Sequence, residues 1–132
     1  MKLHKSFGLW TILLIVPRLV IRRGSVGRLP AAVKGPEWEQ WLATLNHYLL
    51  YGMVSILSFT GLGMGYASGK GIPFFSFGTI WGSNKPIPSV AKPMFKVHKF
   101  TGTYLPWAFF LHLGGTAKHQ FIDKSNIIRR II

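Results

Sequence analysis

The chain of 132 residues contains no cysteine, which excludes disulfides, thiolate metal sites, iron–sulfur clusters and thiol catalysis. Acids are nearly as scarce: Asp and Glu number 3 against 16 Lys and Arg, a formal net charge of +13. No carboxylate pair, nucleophile–base set or phosphate loop is present, so hydrolase and transferase chemistry find no support. Charged residues of both signs make up 14%, where a soluble domain carries about 25%. That is too few to clothe a water-facing surface. Nor do the bases indicate nucleic acid, since they lie between long runs of Leu, Ile and Phe and lack a polar scaffold. What is plentiful is apolar surface, with 48% of residues hydrophobic. The length allows one domain at most, and the chain reads as a small, basic integral membrane protein.

The apolar pattern predicts one all-α membrane domain over 1–132, with three transmembrane helices at about 3–21, 38–65 and 93–121 and an interfacial loop at 66–92. A hydrocarbon layer of about 30 Å takes about 20 helical residues, and the first segment is just long enough. Lys2 and Lys5 before an apolar run also fit a signal peptide. No small-residue cleavage site follows, however, and Arg18, Arg22 and Arg23 make a poor exit, so the segment reads as a retained helix. Pro17 and Arg18 are expected at its far interface. The connector from Ile21 to Glu37 holds Arg22, Arg23, Gly24, Gly27, Arg28, Pro30, Lys34, Gly35 and Pro36. Pro36 and Glu37 suit the opening turn of a helix, and Trp38 and Trp41 suit an interface. Gly52, Gly61, Gly63 and Gly65 leave room for another backbone or a flat ligand.

Every arginine falls in one group of bases: Arg18, Arg22, Arg23, Arg28, Lys34, Lys118, Lys124, Arg129 and Arg130. Lys2, Lys5, Lys70, Lys85, Lys92, Lys96 and Lys99 fall on the other side. The arginine side is expected in the cytoplasm or matrix, with the amino terminus outside.

With thiols absent and acids few, metal binding and proton chemistry rest on His4, His47, His98, His112 and His119. An ionisable residue within a membrane helix is costly and is a functional candidate; the plain alternative is a neutral ring bonded to a nearby carbonyl. His98 and His112 lie 14 residues apart, a rise of about 21 Å and a rotation about 40° short of four turns. They share one helix face at two depths, as a helix serving two stacked haems requires. By depth, His4 is level with His98 on the outer side, and His47 with His112 towards the inner side. His119 falls near the inner interface, where a solvated or propionate-facing role is expected. His4-Lys5-Ser6-Phe7-Gly8 and His98-Lys99-Phe100-Thr101-Gly102 share a glycine four residues after the histidine. Such a glycine clears a planar macrocycle or, equally, eases a helix–helix contact.

These residues resemble the bacterial-type cytochrome b-561 family over nearly the whole length. The most specific stretch runs from Leu111-His112 through Lys118-His119-Gln120-Phe121-Ile122-Asp123-Lys124 to Ile128-Arg129-Arg130, with Gln120 where the family has a second histidine. Leu3-His4-Lys5-Ser6-Phe7-Gly8, with Arg18 downstream, resembles the family's second helix. Asn46-His47-Tyr48-Leu49-Leu50-Tyr51 resembles the start of its third, and Pro73-Phe74-Phe75-Ser76-Phe77-Gly78 the outer segment before its last.

The resemblance implies three transmembrane helices equivalent to helices 2–4 of a four-helix haem-binding bundle, with the family's first helix lacking. It implies a haem b on His4 and His98, and a second on His112 whose expected partner lies on that first helix. Arg18, Lys99 and Lys118 are candidates to face propionates. The function implied is a b-haem electron-transfer subunit of a respiratory complex exchanging electrons with quinone. The alternative is an accessory structural or assembly subunit that has lost haem. Expected partners are other membrane subunits and lipids such as cardiolipin, with no nucleic acid. The mitochondrial inner membrane is the expected location, the bacterial inner membrane the second.

Overall fold

A computed structural model describes residues 2–25 and 35–124. Arg28, Pro30, Lys34, Arg129 and Arg130, which entered the sequence reading as connector and basic tail, lie outside the described residues. Among the described residues the fold is mostly helical: α1 (Lys2–Ser25), α2 (Glu37–Ala67) and α3 (Pro88–Ala117), with α3 continuing into a π turn over Lys118–Ile122. Two of these helices, α1 and α2, are long and apolar enough to cross a bilayer. The third is diluted by Lys92, Lys96 and Lys99 in its first half and by Thr101, Thr103, Pro106 and His112 beyond.

Each helix departs somewhat from its expected bounds. Pro17 does not end α1, which runs on to Ser25; a helical proline costs one N–H, and membrane helices tolerate that loss. α2 opens after Pro36, whose extended backbone (φ −60°, ψ 153°) starts the chain into the helix. Glu37 and Glu39 then sit in its first turn, where negative charge meets the helix dipole. α3 opens five residues before the expected 93, with Pro88 in its first turn. At its far end the N–H of Asp123 reaches the carbonyl of Lys118 at 3.1 Å, one residue wider than an α turn.

The 66–92 loop is more ordered than an interfacial strap and adds a small sheet to the helical fold. β1 (Ile72–Pro73) pairs antiparallel with β2 (Thr79–Ile80), with Ile72 opposite Ile80 and Pro73 opposite Thr79. The turn between them is closed by Phe74 N–H to Gly78 O at 2.9 Å and Phe77 N–H to Phe74 O at 3.0 Å. Gly78, at φ 115°, supplies a backbone that other residues rarely adopt.

α2 is the spine, packing along α3 on one side and α1 on the other, while α1 also docks on β1. Three of its later glycines, Gly61, Gly63 and Gly65, face neighbouring side chains, whereas Gly52 meets nothing within 4 Å. A β-carbon on Gly63 would strike the Met94 sulfur, and one on Gly65 would meet Ile72 Cγ1 at 2.6 Å. α1 is fastened near its amino-terminal end by Ser6, which is wholly buried. Its hydroxyl lies 3.1 Å from the carbonyl of Pro73 and accepts the N–H of Phe75 at 2.8 Å. Lys5 Nζ adds a bond to Gly71 O at 3.4 Å. Elsewhere the surface is apolar: Leu14, Trp107 and Phe110 are 66%, 70% and 64% exposed. An exterior of that kind matches lipid as its solvent, not water.

Candidate functional site

The helices bring four of the five histidines together in two pairs. At the end of the bundle expected to face outward the rings of His4 (α1) and His98 (α3) have centroids 6.0 Å apart, with planes at 88°. Towards the inner end the rings of His47 (α2) and His112 (α3) are 5.0 Å apart at 78°. Depth along the helices thus puts the same residues side by side that the sequence placed level. His119 stands apart from both pairs, buried at 8% exposure and bonded through Nδ1 to Asp123 Oδ2 at 2.5 Å. The solvated role expected for it does not hold, because the ring is buried and the π turn brings Asp123 against it.

Two ring orientations are set by hydrogen bonds. Thr60 on α2 donates its single hydroxyl proton to the carbonyl of Ile56 at 2.6 Å. With its proton on that bond, the shortest the hydroxyl makes, the oxygen accepts from His98 Nδ1, 3.0 Å away. That fixes the proton of His98 on Nδ1 and leaves Nε2 with a free lone pair. His47 behaves alike, its Nδ1–H donating to the carbonyl of Ala43 at 2.6 Å. An imidazole with Nδ1–H held by an acceptor and Nε2 bare is the form that binds a metal.

Whether an iron fits is a matter of spacing. Metal–imidazole bonds are about 2.0–2.1 Å, and the ring centre lies about 1.1 Å beyond the nitrogen, so two axial rings sit with centroids roughly 6 Å apart. His4 and His98 already stand at that separation. Both ring planes contain the bond axis, so perpendicular planes are no obstacle. His47 and His112 must open by roughly 1 Å to admit an iron.

Room beside the rings is uneven. Gly61 on α2 lies against His98, where a β-carbon would come 3.2 Å from Cε1 and 3.6 Å from Nδ1. Of the glycines in the repeated motif, Gly8 faces open space, whereas Gly102 packs near Leu57 at 3.7 Å. Gly114 and Gly115, just beyond His112, also face open space. The residues present fit a bis-histidine haem at the outer pair and, with slight opening, at the inner one.

Arg18 on α1 donates from Nε to Tyr51 Oη at 3.4 Å. Below it a cleft of about 460 Å³ is lined by Leu19, Arg22, Arg23, His47, Tyr48 and Tyr51. Lys118 is not free for a propionate, since its ammonium sits between Glu39 (2.7 Å) and Asp123 (3.3 Å). Asp123 is held below the usual carboxylate range, first by the hydrogen bond from His119 and then by Lys118. Thr60, Gly61, Ser6 and the Glu39–Lys118–Asp123–His119 group were not evident from sequence. The i, i+4 spacing of Arg18 with Arg22 and of His47 with Tyr51 was the available signal for the cleft.

Histidine rings paired at two depths between packed helices are the layout of a helix-bundle cytochrome. The profile of the family described as prokaryotic cytochrome b561 matches residues 1–132, and the chain belongs to that family. Its members are membrane proteins that bind b-type haem and carry electrons. No curated protein and no solved structure matches the chain.

Proposed function

We propose that this chain is a b-haem electron-transfer subunit of a respiratory complex, in which His4 and His98 would hold the outer haem and His47 and His112 the inner one. The observation that carries this reading is the pairing itself: four imidazoles in two facing couples, the outer one at 6.0 Å. Bound haem would supply the one-electron chemistry, and the protein supplies ligands, orientation and a water-poor setting. Thr60 and Ala43 hold His98 and His47 with Nε2 available. His47 in this reading takes the place that the sequence left to a helix outside the chain. Arg18, Arg22 and Arg23 place positive charge at the inner end of α1, suited to propionates and to anionic lipid such as cardiolipin.

In this reading the chain crosses the membrane at about 3–21, 38–65 and 93–121, with its amino terminus outside, alongside other membrane subunits. Quinone is the proposed exchange partner. The family's prokaryotic description favours a bacterial inner membrane over the mitochondrial one as the location.

The test is a dithionite-reduced optical spectrum of the purified protein, with haem counted per copy. Two haems are expected, His98→Ala removing the outer and His112→Ala the inner. If neither substitution lowers the haem count, the ligand assignment fails and the accessory structural role becomes the better description.

A further inference from the structure

The inner end of the bundle holds a second group of ionisable side chains that electron transfer does not employ. Glu39 comes from the first turn of α2, and Lys118, His119 and Asp123 from the π turn and its end. Lys118 Nζ lies 2.8 and 2.7 Å from the two Glu39 oxygens and 3.3 Å from Asp123 Oδ2. His119 Nδ1 donates to that same Asp123 oxygen, which as a carboxylate can only accept. The group is sheltered: the side chains of His119, Glu39 and Asp123 are 10%, 12% and 21% exposed.

Two carboxylates oppose one ammonium, so with His119 neutral the group carries one uncompensated negative charge. A proton on His119 Nε2, the nitrogen not engaged by Asp123, cancels it. Imidazole is the side chain that ordinarily changes charge near neutral pH. A widened turn of this kind is common at functional positions, and here it carries both Lys118 and His119.

The group also lies about two helical turns beyond the inner histidine pair on both helices. His119 follows His112 by seven residues, a rise of about 10 Å and a rotation within about 20° of two turns. Glu39 precedes His47 by eight residues, about 12 Å along α2. At about 11 Å and an effective dielectric of about 20, one unit of charge at the pair changes proton affinity at the group roughly tenfold.

We infer that Glu39, Lys118, His119 and Asp123 form a proton-binding site coupled to the His47–His112 pair. If that pair holds a haem, its reduction by a one-electron donor would be accompanied by binding of a proton from the inner aqueous phase at His119 Nε2. No other bond forms or breaks, and oxidation releases the same proton. The groups facing His119 are Asp123 and, through Lys118, Glu39; Glu37 and Lys124, the charged neighbours of Glu39 and Asp123 in sequence, are exposed. The inference rests on reading His47 and His112 as an electron site.

The test is a potentiometric titration of the haem-loaded protein in lipid nanodiscs between pH 5.5 and 8.5, with dithionite as reductant and haem counted beforehand. In the unaltered protein the inner component's midpoint is expected to fall with rising pH, by a total of about 59 mV, the equivalent of a tenfold change in proton affinity. The outer component should stay flat. His119→Gln should abolish the slope, and Asp123→Asn should move it to lower pH by weakening the protonated imidazole. A full haem complement with no slope, or with a slope that survives His119→Gln and stays in place in Asp123→Asn, overturns the inference alone. Absence of the inner haem overturns both the inference and the reading beneath it.

Discussion

Replacing Thr60 by valine removes one oxygen and almost nothing else, and it isolates how His98 is held. In the native protein that oxygen accepts the Nδ1–H of His98 at 3.0 Å. Valine fills the same space, so the ring keeps its neighbours but loses its acceptor. A buried donor left unpaired costs about 1–3 kcal/mol. Loss of the partner that orients a metal-binding histidine typically lowers metal affinity by about 10–100-fold, which is about 1.4–2.8 kcal/mol. The two estimates agree. Transfer of haem from the holoprotein to an excess of an apo-acceptor should therefore quicken by about 10–100-fold for the outer haem, leaving the inner haem's release unchanged. Thr60→Ser keeps the hydroxyl and should behave nearly as the native protein does. If Thr60→Val releases the outer haem at the native rate, the tautomer assigned to His98 and its role as ligand are both refuted.

Three further outcomes follow from the same packing. Gly61→Val puts a branched side chain where a lone β-carbon would already stand 3.2 Å from His98 Cε1; crowding of this kind costs about 1–3 kcal/mol, and the outer haem should be lost or show a shifted reduced spectrum. Ser6→Ala leaves the Phe75 N–H and Pro73 carbonyl without the hydroxyl they share; about 1–3 kcal/mol of stability should disappear, seen as an earlier unfolding midpoint in mild detergent. Asp123 ionises below the ordinary carboxylate range, so its hold on the π turn is complete above that range and is lost as pH falls through the lowered value. Thermal unfolding followed between pH 6 and pH 2 should show an acid loss of stability that Asp123→Asn lacks.

The features legible in the sequence are those written within one helix. The apolar runs and their lengths located α1, α2 and α3, and the rise per residue put His4 level with His98 and His47 level with His112. What stayed hidden depends on the neighbour a side chain meets. Thr60 reads as one more polar residue on α2 until α3 brings His98 to it, and Gly61 as a generic small residue until the same ring arrives. The hairpin at 72–80 was obscured by its aromatics, since Phe74, Phe75 and Phe77 on a turn look like residues lying along an interface. The inner ionic group was missed because Glu39 and Asp123 are 84 residues apart in the sequence, and only the widened turn after Ala117 brings them to one lysine.

The Ser6 latch also bears on the order in which the molecule is built. α1 leaves the ribosome before the hairpin does, but the carbonyl and N–H that grip it belong to Pro73 and Phe75. Until those residues emerge, the first helix lacks the anchor at its outer end, and His4 waits longer still for His98. The His4–His98 pair is thus closed late in synthesis, after a loop has folded back onto a helix made before it, and a chain halted after α2 would hold neither couple of imidazoles.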